Sequence, residues 1–510
     1  DRFAGAEVHF FPMELKNIRA DDFGVVSGES SGTALGKLLK EEFYRSLTLI
    51  AGQTPLWWVM PPGVDDDNYA RLAELAYRSG RLDSVNMVDM GNMHGISLGE
   101  FYGAAVWQIN KTMGSPFKSI LKMALLEEYM FNHGSKGLLC TELKQRLVSN
   151  EAETDILDPY ILMFDRASAY LSEQNRQEDL DLLRRSLYLK SGANLVLADY
   201  RRTELPRKTR VMVRLVRQWG WNHKLVEQLN HYHNWSFEEA LQFSRETNNF
   251  IVRAYKNVSA QLNKQKEQVG LTISQRDLTV LGRKLFIFYS KRTNKVDSTK
   301  NVIEAPPSLA VLTLHPRLNR EGRKLWEAYP ALLSRGAVMT AVDLKGTTHL
   351  TELLIWLVNN QLYSPDTSIN LNPGPRKLNI NCTVPDIQKL LKVMKIFFPP
   401  YKHSEVDEEE LLKKPVINKM LLVINLDEPD KTTGISTVDT CYQNNWGEVF
   451  FKGYDNSQEG LSIGRNLVRK RYAYDPLAAM ANFKVFLPDR LFKKTLTPRL
   501  DKHFGFKVVI

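Results

Sequence analysis

From Asp65 to about residue 260 the apolar residues recur every three or four positions, and that spacing commits most of the stretch to amphipathic helix. "NYARLAELAYRSG", "SLGEFYGAAVWQINKT", "SPFKSILKMALLEEYMF" and "DLDLLRRSLYLKSG" each carry such a pattern. Strand-like runs return later in "SLAVLTL", "SINLN" and "KMLLVINLD", so the chain reads as helix first and mixed α/β second. Ahead of the helices, residues 4 to 15 alternate like a strand that places Glu7 on a definite face. A helix is expected from Leu38 through "LLKEEFYRSLTLIAG", closing at Gly52, and "LWWVM" is expected as a short strand stopped by Pro61 and Pro62. The acidic, lysine-bearing "PPYKHSEVDEEELLKKP" reads as a linker between a main body ending near Phe398 and a smaller C-terminal piece.

With 510 residues the chain has room for several domains and a large core. No apolar run approaches the roughly 18 residues of a membrane span. Cys140, Cys382 and Cys441 lie far apart and make no even disulfide framework, which fits a reducing cytosol. Of the net charge of +10, much gathers near the C-terminus in "GRNLVRKRYAYDP" and "RLFKKTLTPRLDKHFGFK". A solvated basic face explains this better than a nucleic-acid surface.

Several motifs fail on inspection. "GESSGTALGK" is no P-loop: Ser31 stands where the first glycine belongs and Leu38 replaces the magnesium-binding hydroxyl, leaving a turn or a loose anion loop. Asp179 and Asp181 have the D-x-D spacing of two-metal chemistry, but on a helix the two carboxylates diverge by roughly 200°. His231 and His233 of "HYHNW" are equally poorly spaced for a metal. Asp65, Asp66 and Asp67 precede a helix and are expected to cap it.

The lysines carry more information. In "SPFKSILKMALLEEYMF", Ser115 is placed to cap, Pro116 suits the first helical position, and Lys118 and Lys122 fall one turn apart on one face. Two such ammonium groups repel unless an anion sits between them, and Lys122 is set in an almost wholly apolar run. A triphosphate would answer the repulsion; so would snorkelling stems over apolar surface. One helix earlier, Trp107 and Lys111 stand i, i+4 on a face away from the core stripe of Leu98, Phe101, Tyr102, Ala105 and Ile109. That pair suits a base and a phosphate, or simple packing. Arg184, Arg185 and Lys190 read as surface charge.

Taken in order, "AEVHFF", "EEFYRSLTLIAG", "EFYGAAVWQINKTMGSPFKSILKMALLEEY", "ELKQRL", "LDPYILMFDRASAYL", "LLRRSLYLK", "RQWGW", "LTVLGRKL" and, more weakly, "NNWGEVFF" resemble the class I adenylate cyclases of enteric-type bacteria. The resemblance implies a fold of mixed α and β: part of a polymerase-β-like nucleotidyltransferase palm, then a large helical region, then a C-terminal α/β region. It implies a catalytic region over 1–398, divided into the remainder of the palm (1–62), a mainly helical part (63–270) and an α/β part (271–398). A linker (399–415) and the start of a regulatory region (416–510) follow.

The implied chemistry is two-metal, with Mg2+ or Mn2+ holding ATP while the ribose 3′-hydroxyl attacks the α-phosphorus to give cyclic AMP and pyrophosphate. By the same resemblance Glu7 is the third metal-binding carboxylate and a catalytic residue. Lys111, Lys118 and Lys122 would neutralise the triphosphate, with Arg45 a further candidate and Trp107 stacking on adenine. No glycine-serine turn and aspartate pair lie in the six residues before Glu7, so the chain is expected to be a fragment, inactive alone, whose first two metal ligands lie upstream of Asp1. The family implies a cytoplasmic enzyme without an integral membrane segment, regulated by the glucose-specific phosphocarrier of the sugar phosphotransferase system. Two alternatives stand beside it: a relative that makes oligo- or polyadenylate, and a helical binding module without catalysis.

Overall fold

The computed structural model describes residues 14–21, 36–149, 157–196, 205–264, 279–297, 308–330, 344–399, 407–427 and 434–509, apart from short gaps inside those ranges. The chain divides into two compact units, one of residues 1–230 and 245–281 and the other of residues 231–244 and 282–510.

The first unit is helical. It contains α1 (Leu15–Arg19), α2 (Gly36–Ser46), β1 (Thr54–Pro55), α3 (Leu56–Val59), α4 (Asp66–Arg78), β2 (Met87–Val88), α5 (Leu98–Thr112) and α6 (Pro116–Phe131). There follow α7 (Leu139–Val148), α8 (Pro159–Glu173), α9 (Gln177–Ser191), α10 (Arg207–Gln218), α11 (His223–Asn230) and, from Arg245 onward, α12 (Phe237–Lys264). Helix α6 is the hub. Ile120, Leu121 and every residue from Met123 to Met130 are buried, as a helix apolar on all sides must be, and α5, α8 and α9 pack around it.

Helix boundaries follow local chemistry in most places. Asp65 caps α4 by accepting from the Asn68 N–H, and Gly192 ends α9 in the left-handed conformation. Pro116 opens α6 as expected, but the Ser115 hydroxyl makes no capping bond. Two expectations need correction. "LWWVM" is not a strand: only Thr54 and Pro55 pair, with Met87 and Val88, and Leu56–Val59 form a helical turn. A five-residue apolar run has no period long enough to separate strand from buried helix. Here the Trp57 ring stacks on Tyr44, 4.4 Å between centroids, and the Lys144 ammonium sits 4.1 Å from its centre. Helix α2 ends at Ser46, six residues before Gly52.

The second unit is α/β. Its first sheet has the order β5 (Lys345–Thr347), β4 (Lys324–Tyr329), β3 (Val311–Leu318), β6 (Ser368–Leu371); its second has β10 (Phe483–Phe486), β7 (Ile417–Ile424), β8 (Val438–Asn444), β9 (Val449–Tyr454). Helices α13 (Leu350–Asn359), α14 (Val384–Phe397) and α15 (Glu408–Leu412) precede β7, whereas α16 (Ser457–Tyr472), α17 (Pro476–Asn482) and α18 (Lys493–Phe504) follow β9. Side-chain alternation splits β7 between two cores. Leu421 and Val423 join α13, α14 and the first sheet, while Met420, Leu422 and Ile424 join α16 and α18. Residues on both sides of the expected linker thus share one core, and Leu411 within it is fully buried.

Two features position these elements and can be tested. Glu100 at the start of α5 reaches the first turn of α2, where Oε1 accepts the Leu38 N–H at 2.7 Å. Burial pushes this carboxyl up to about 7, against the Leu38 amide and the Lys37 charge, which favour the ionised form. A raised folded-state pKa contributes stability that is fully present below the ordinary value of 4.5 and lost as pH rises through about 7. Glu100→Gln keeps the acceptor and removes the charge, so unfolding midpoints measured across that window should lose part of their downward slope.

In the second unit, Gly453 on β9 lies against the His349 ring, whose Nδ1 is 3.2 Å from Asp439 Oδ1. A Cβ at Gly453 would overlap that ring. Gly453→Ala should cost about 1–3 kcal/mol by overpacking and much less in a His349→Ala background, a non-additivity that a double-mutant unfolding cycle measures.

Candidate nucleotide site

Helix α2 presents two consecutive acids to different surroundings. Glu41, 2% exposed, accepts from Arg45 Nε at 3.0 Å, from Tyr129 Oη at 3.3 Å and from the Cys140 N–H at 3.1 Å, which ties α2 to α6 and α7. Glu42, one residue on, is half-buried and faces α6. There the Lys122 ammonium donates to both of its carboxylate oxygens, at 2.8 and 2.6 Å.

Burial opposes both charges of this pair, yet the outcomes point the same way. For Glu42, the charge and hydrogen bond of Lys122, with Arg45 and Lys118 adding, overcome desolvation and hold the carboxyl below its ordinary value. For Lys122, desolvation outweighs Glu42, and Lys118 and Arg45 push the ammonium further down. The Lys122 shift is chiefly burial, whereas the Glu42 shift reports the cations around it. Arg45 is matched by Glu41 and Lys122 by Glu42, which leaves the Lys118 charge beside the pair as the one to attract an anion.

Each expected site residue has a definite place where the structure describes it. Lys118 and Lys122 come together on α6, and Arg45 joins them from α2. Arg45 is itself buried, with Nε and Nη2 on Glu41 and Nη1 on the Pro159 carbonyl oxygen, so its fork serves the fold. Lys111 is exposed, its ammonium 5.3 Å from the Trp107 ring centre as the i, i+4 spacing predicts. Among the described residues no ion pair or hydrogen bond joins Lys111 to the Lys118–Lys122 group. Glu7 and the glycine-serine loop up to Ala34 lie outside the described residues.

Glu41, Glu42 and Tyr160 were missed by sequence reasoning. The Glu41–Arg45 pair was legible as i, i+4 in "EEFYRS". The Glu42–Lys122 pair spans 80 residues, and no local spacing announces it. Tyr160, 40% exposed at the start of α8, feels the charges of Glu42 and Arg45 and brings an aromatic ring to the same place.

The rejected D-x-D is accounted for. Asp179 is buried against Arg176 at 2.6 Å and Arg253 at 3.2 Å, and Asp181 pairs with Arg184 at 3.1 Å. Among the described residues no three His, Cys, Asp or Glu side chains gather as a metal site. The described residues therefore do not fit a catalytic metal by themselves.

Comparison with known proteins places the chain. Residues 2–58 match the family model described as the adenylate cyclase NT domain, and residues 96–300 match that of the class-I adenylate cyclase second domain. A Yersinia intermedia protein named adenylate cyclase is 27% identical over 494 residues, covering 92% of this chain and 57% of its own length. Adenylate cyclases of Salmonella typhimurium and Proteus mirabilis are each 26% identical, over 92% and 98% of this chain and 57% and 59% of their own. The chain thus spans somewhat over half the length of these relatives, and no solved structure matches it. With both family models falling in order along the cationic α2–α6 region and its flanks, the chain belongs to the class I adenylate cyclase family.

Proposed function

We propose that this chain supplies the nucleotide-handling part of an adenylate cyclase that converts ATP to 3′,5′-cyclic AMP and pyrophosphate. The carrying observation is geometric: the half-buried Lys122 ammonium donates to both oxygens of Glu42, with Lys118 one turn away on the same helix and close enough to act on both groups. A triphosphate is the anion that family membership calls for at such a place.

In this reading the ribose 3′-oxygen bonds to the α-phosphorus in line, the bond from that phosphorus to the bridging oxygen of the β-phosphate breaks, and pyrophosphate leaves with the electron pair. Negative charge grows on the departing group. Lys118 and Lys122 answer it, with Lys122 exchanging Glu42 for phosphate oxygens as the nucleotide enters. Lys111 extends the positive surface along α5, and Trp107 offers adenine an aromatic face, with Tyr160 a second one nearer Glu42. Arg45 adds charge while holding Glu41.

Glu7 is the proposed carboxylate for a divalent ion, Mg2+ or Mn2+, which would polarise the phosphates when bound. A cytoplasmic location and regulation by the glucose-specific phosphocarrier complete the proposal. Among the described residues no helix is long and apolar enough to cross a membrane.

Product analysis tests the activity. The enzyme that contains this chain, given ATP and a divalent metal, should release cyclic AMP and pyrophosphate, and a ladder of oligoadenylate would overturn the reading. Lys122→Ala should lower kcat/KM about 10- to 1000-fold, the range of a lost transition-state donor, with the unfolding midpoint within a few degrees of wild type. Unchanged kcat/KM in a folded variant would remove Lys122 from the site.

A further inference from the structure

Residues 457–510 hold eleven Lys and Arg against four Asp and Glu, so about a tenth of the chain carries most of its +10 excess. The fold sorts these charges outward. Helices α16 and α18 turn Leu461 and Val468, and Leu496, Leu500 and Phe504, into the core on the outer face of β7 and β10. That leaves Arg465, Arg469, Lys470, Lys494, Arg499 and Lys502 exposed. Among the described residues none of these six forms an ion pair or side-chain hydrogen bond. Arg465 and Arg469 lie close enough to His503 of α18 for their charge, after burial, to depress its pKa, so the two helices present one continuous cationic face.

Next to it stands exposed apolar surface. Helix α17 packs on α16 and begins four residues after that helix ends in Arg469, Lys470 and Arg471. Its Leu477 and Met480 are 79% and 42% exposed, one turn apart. Water is a poor partner for both.

We propose that this face docks on an anionic lipid surface, with the α16 and α18 cations on headgroup phosphates and Leu477 and Met480 entering the acyl boundary. Cations beside exposed aliphatic side chains are the composition of an interfacial contact. A face for single-stranded nucleic acid would instead offer aromatic rings to bases. Here Phe483 and Phe504 are buried in the core, and the Tyr472 hydroxyl donates to the Asn418 carbonyl oxygen.

The test is co-sedimentation of the protein with vesicles of phosphatidylcholine containing about 40% phosphatidylglycerol, an anionic surface. Binding is expected there, with none to phosphatidylcholine alone, and release near roughly 0.5 M NaCl, where screening shortens the reach of the charges. Arg465→Glu/Arg469→Glu should weaken binding by about 25-fold or more, since each cation near the surface contributes about fivefold. Leu477→Asp/Met480→Asp, on a separate element, should weaken it as well while leaving the salt dependence of the remainder in place. Absence of binding to the anionic vesicles, equal binding to neutral ones, or full affinity in both variants would overturn the proposal. So would displacement from the vesicles by an equimolar single-stranded RNA or a polyglutamate peptide, which would make the face a nucleic-acid or acidic-protein site.

Discussion

Glu41 is charged and 2% exposed, and a charge in that position must be answered from within the protein. Three elements answer it. Arg45 does so from its own helix, Tyr129 from α6, and the backbone N–H of Cys140 from the first turn of α7. Removing one partner from such a buried arrangement typically costs about 3–5 kcal/mol, because the remaining charge is left without solvent or counter-ion. The orientation of α2 against α6 therefore depends on this carboxylate, and with it the meeting of Glu42 and Lys122.

The same device recurs on α6. Glu127 and Glu128 are adjacent and buried, and each collects donors from elsewhere in the fold: Glu127 from Arg176, Tyr170 and Asn257, Glu128 from Arg166 on α8 together with Asn132 at the end of α6 itself. An apolar hub helix can slide or rotate against its neighbours at modest cost, but a buried carboxylate with directional partners accepts one register. The helical unit thus combines an undifferentiated apolar core with charged pins that set its geometry. The Glu42–Lys122 pair stays half-open by contrast, since Glu42 and Lys122 keep 35% and 22% of their side-chain surface in contact with water.

What could be read from the sequence follows the range of the interaction. Helices α5, α6 and α9, the Asp65 cap, the Trp107–Lys111 contact and the strands β3, β6 and β7 are written in spacings of a few residues, and the structure has them. "LWWVM" misled because Trp57 is held by Tyr44 and Lys144, 13 and 87 residues away, and no local period encodes that. Of the site, Lys118 and Lys122 were legible as an unexplained like-charge pair in apolar surroundings. Their answer, Glu42, was not, because it arrives from a different helix through the tertiary fold.

On the proposed reading, Glu42 holds the place a phosphate takes. Equilibrium titration of ATP against wild type and Glu42→Gln tests it most directly, because the substitution removes the internal competitor while keeping the side chain's size. If the claim holds, ATP binds the variant about tenfold more tightly, the equivalent of roughly 1.4 kcal/mol of released competition. Equal or weaker binding by a folded Glu42→Gln protein would show that Glu42 and Lys122 are only a structural pair, and that the nucleotide is bound elsewhere.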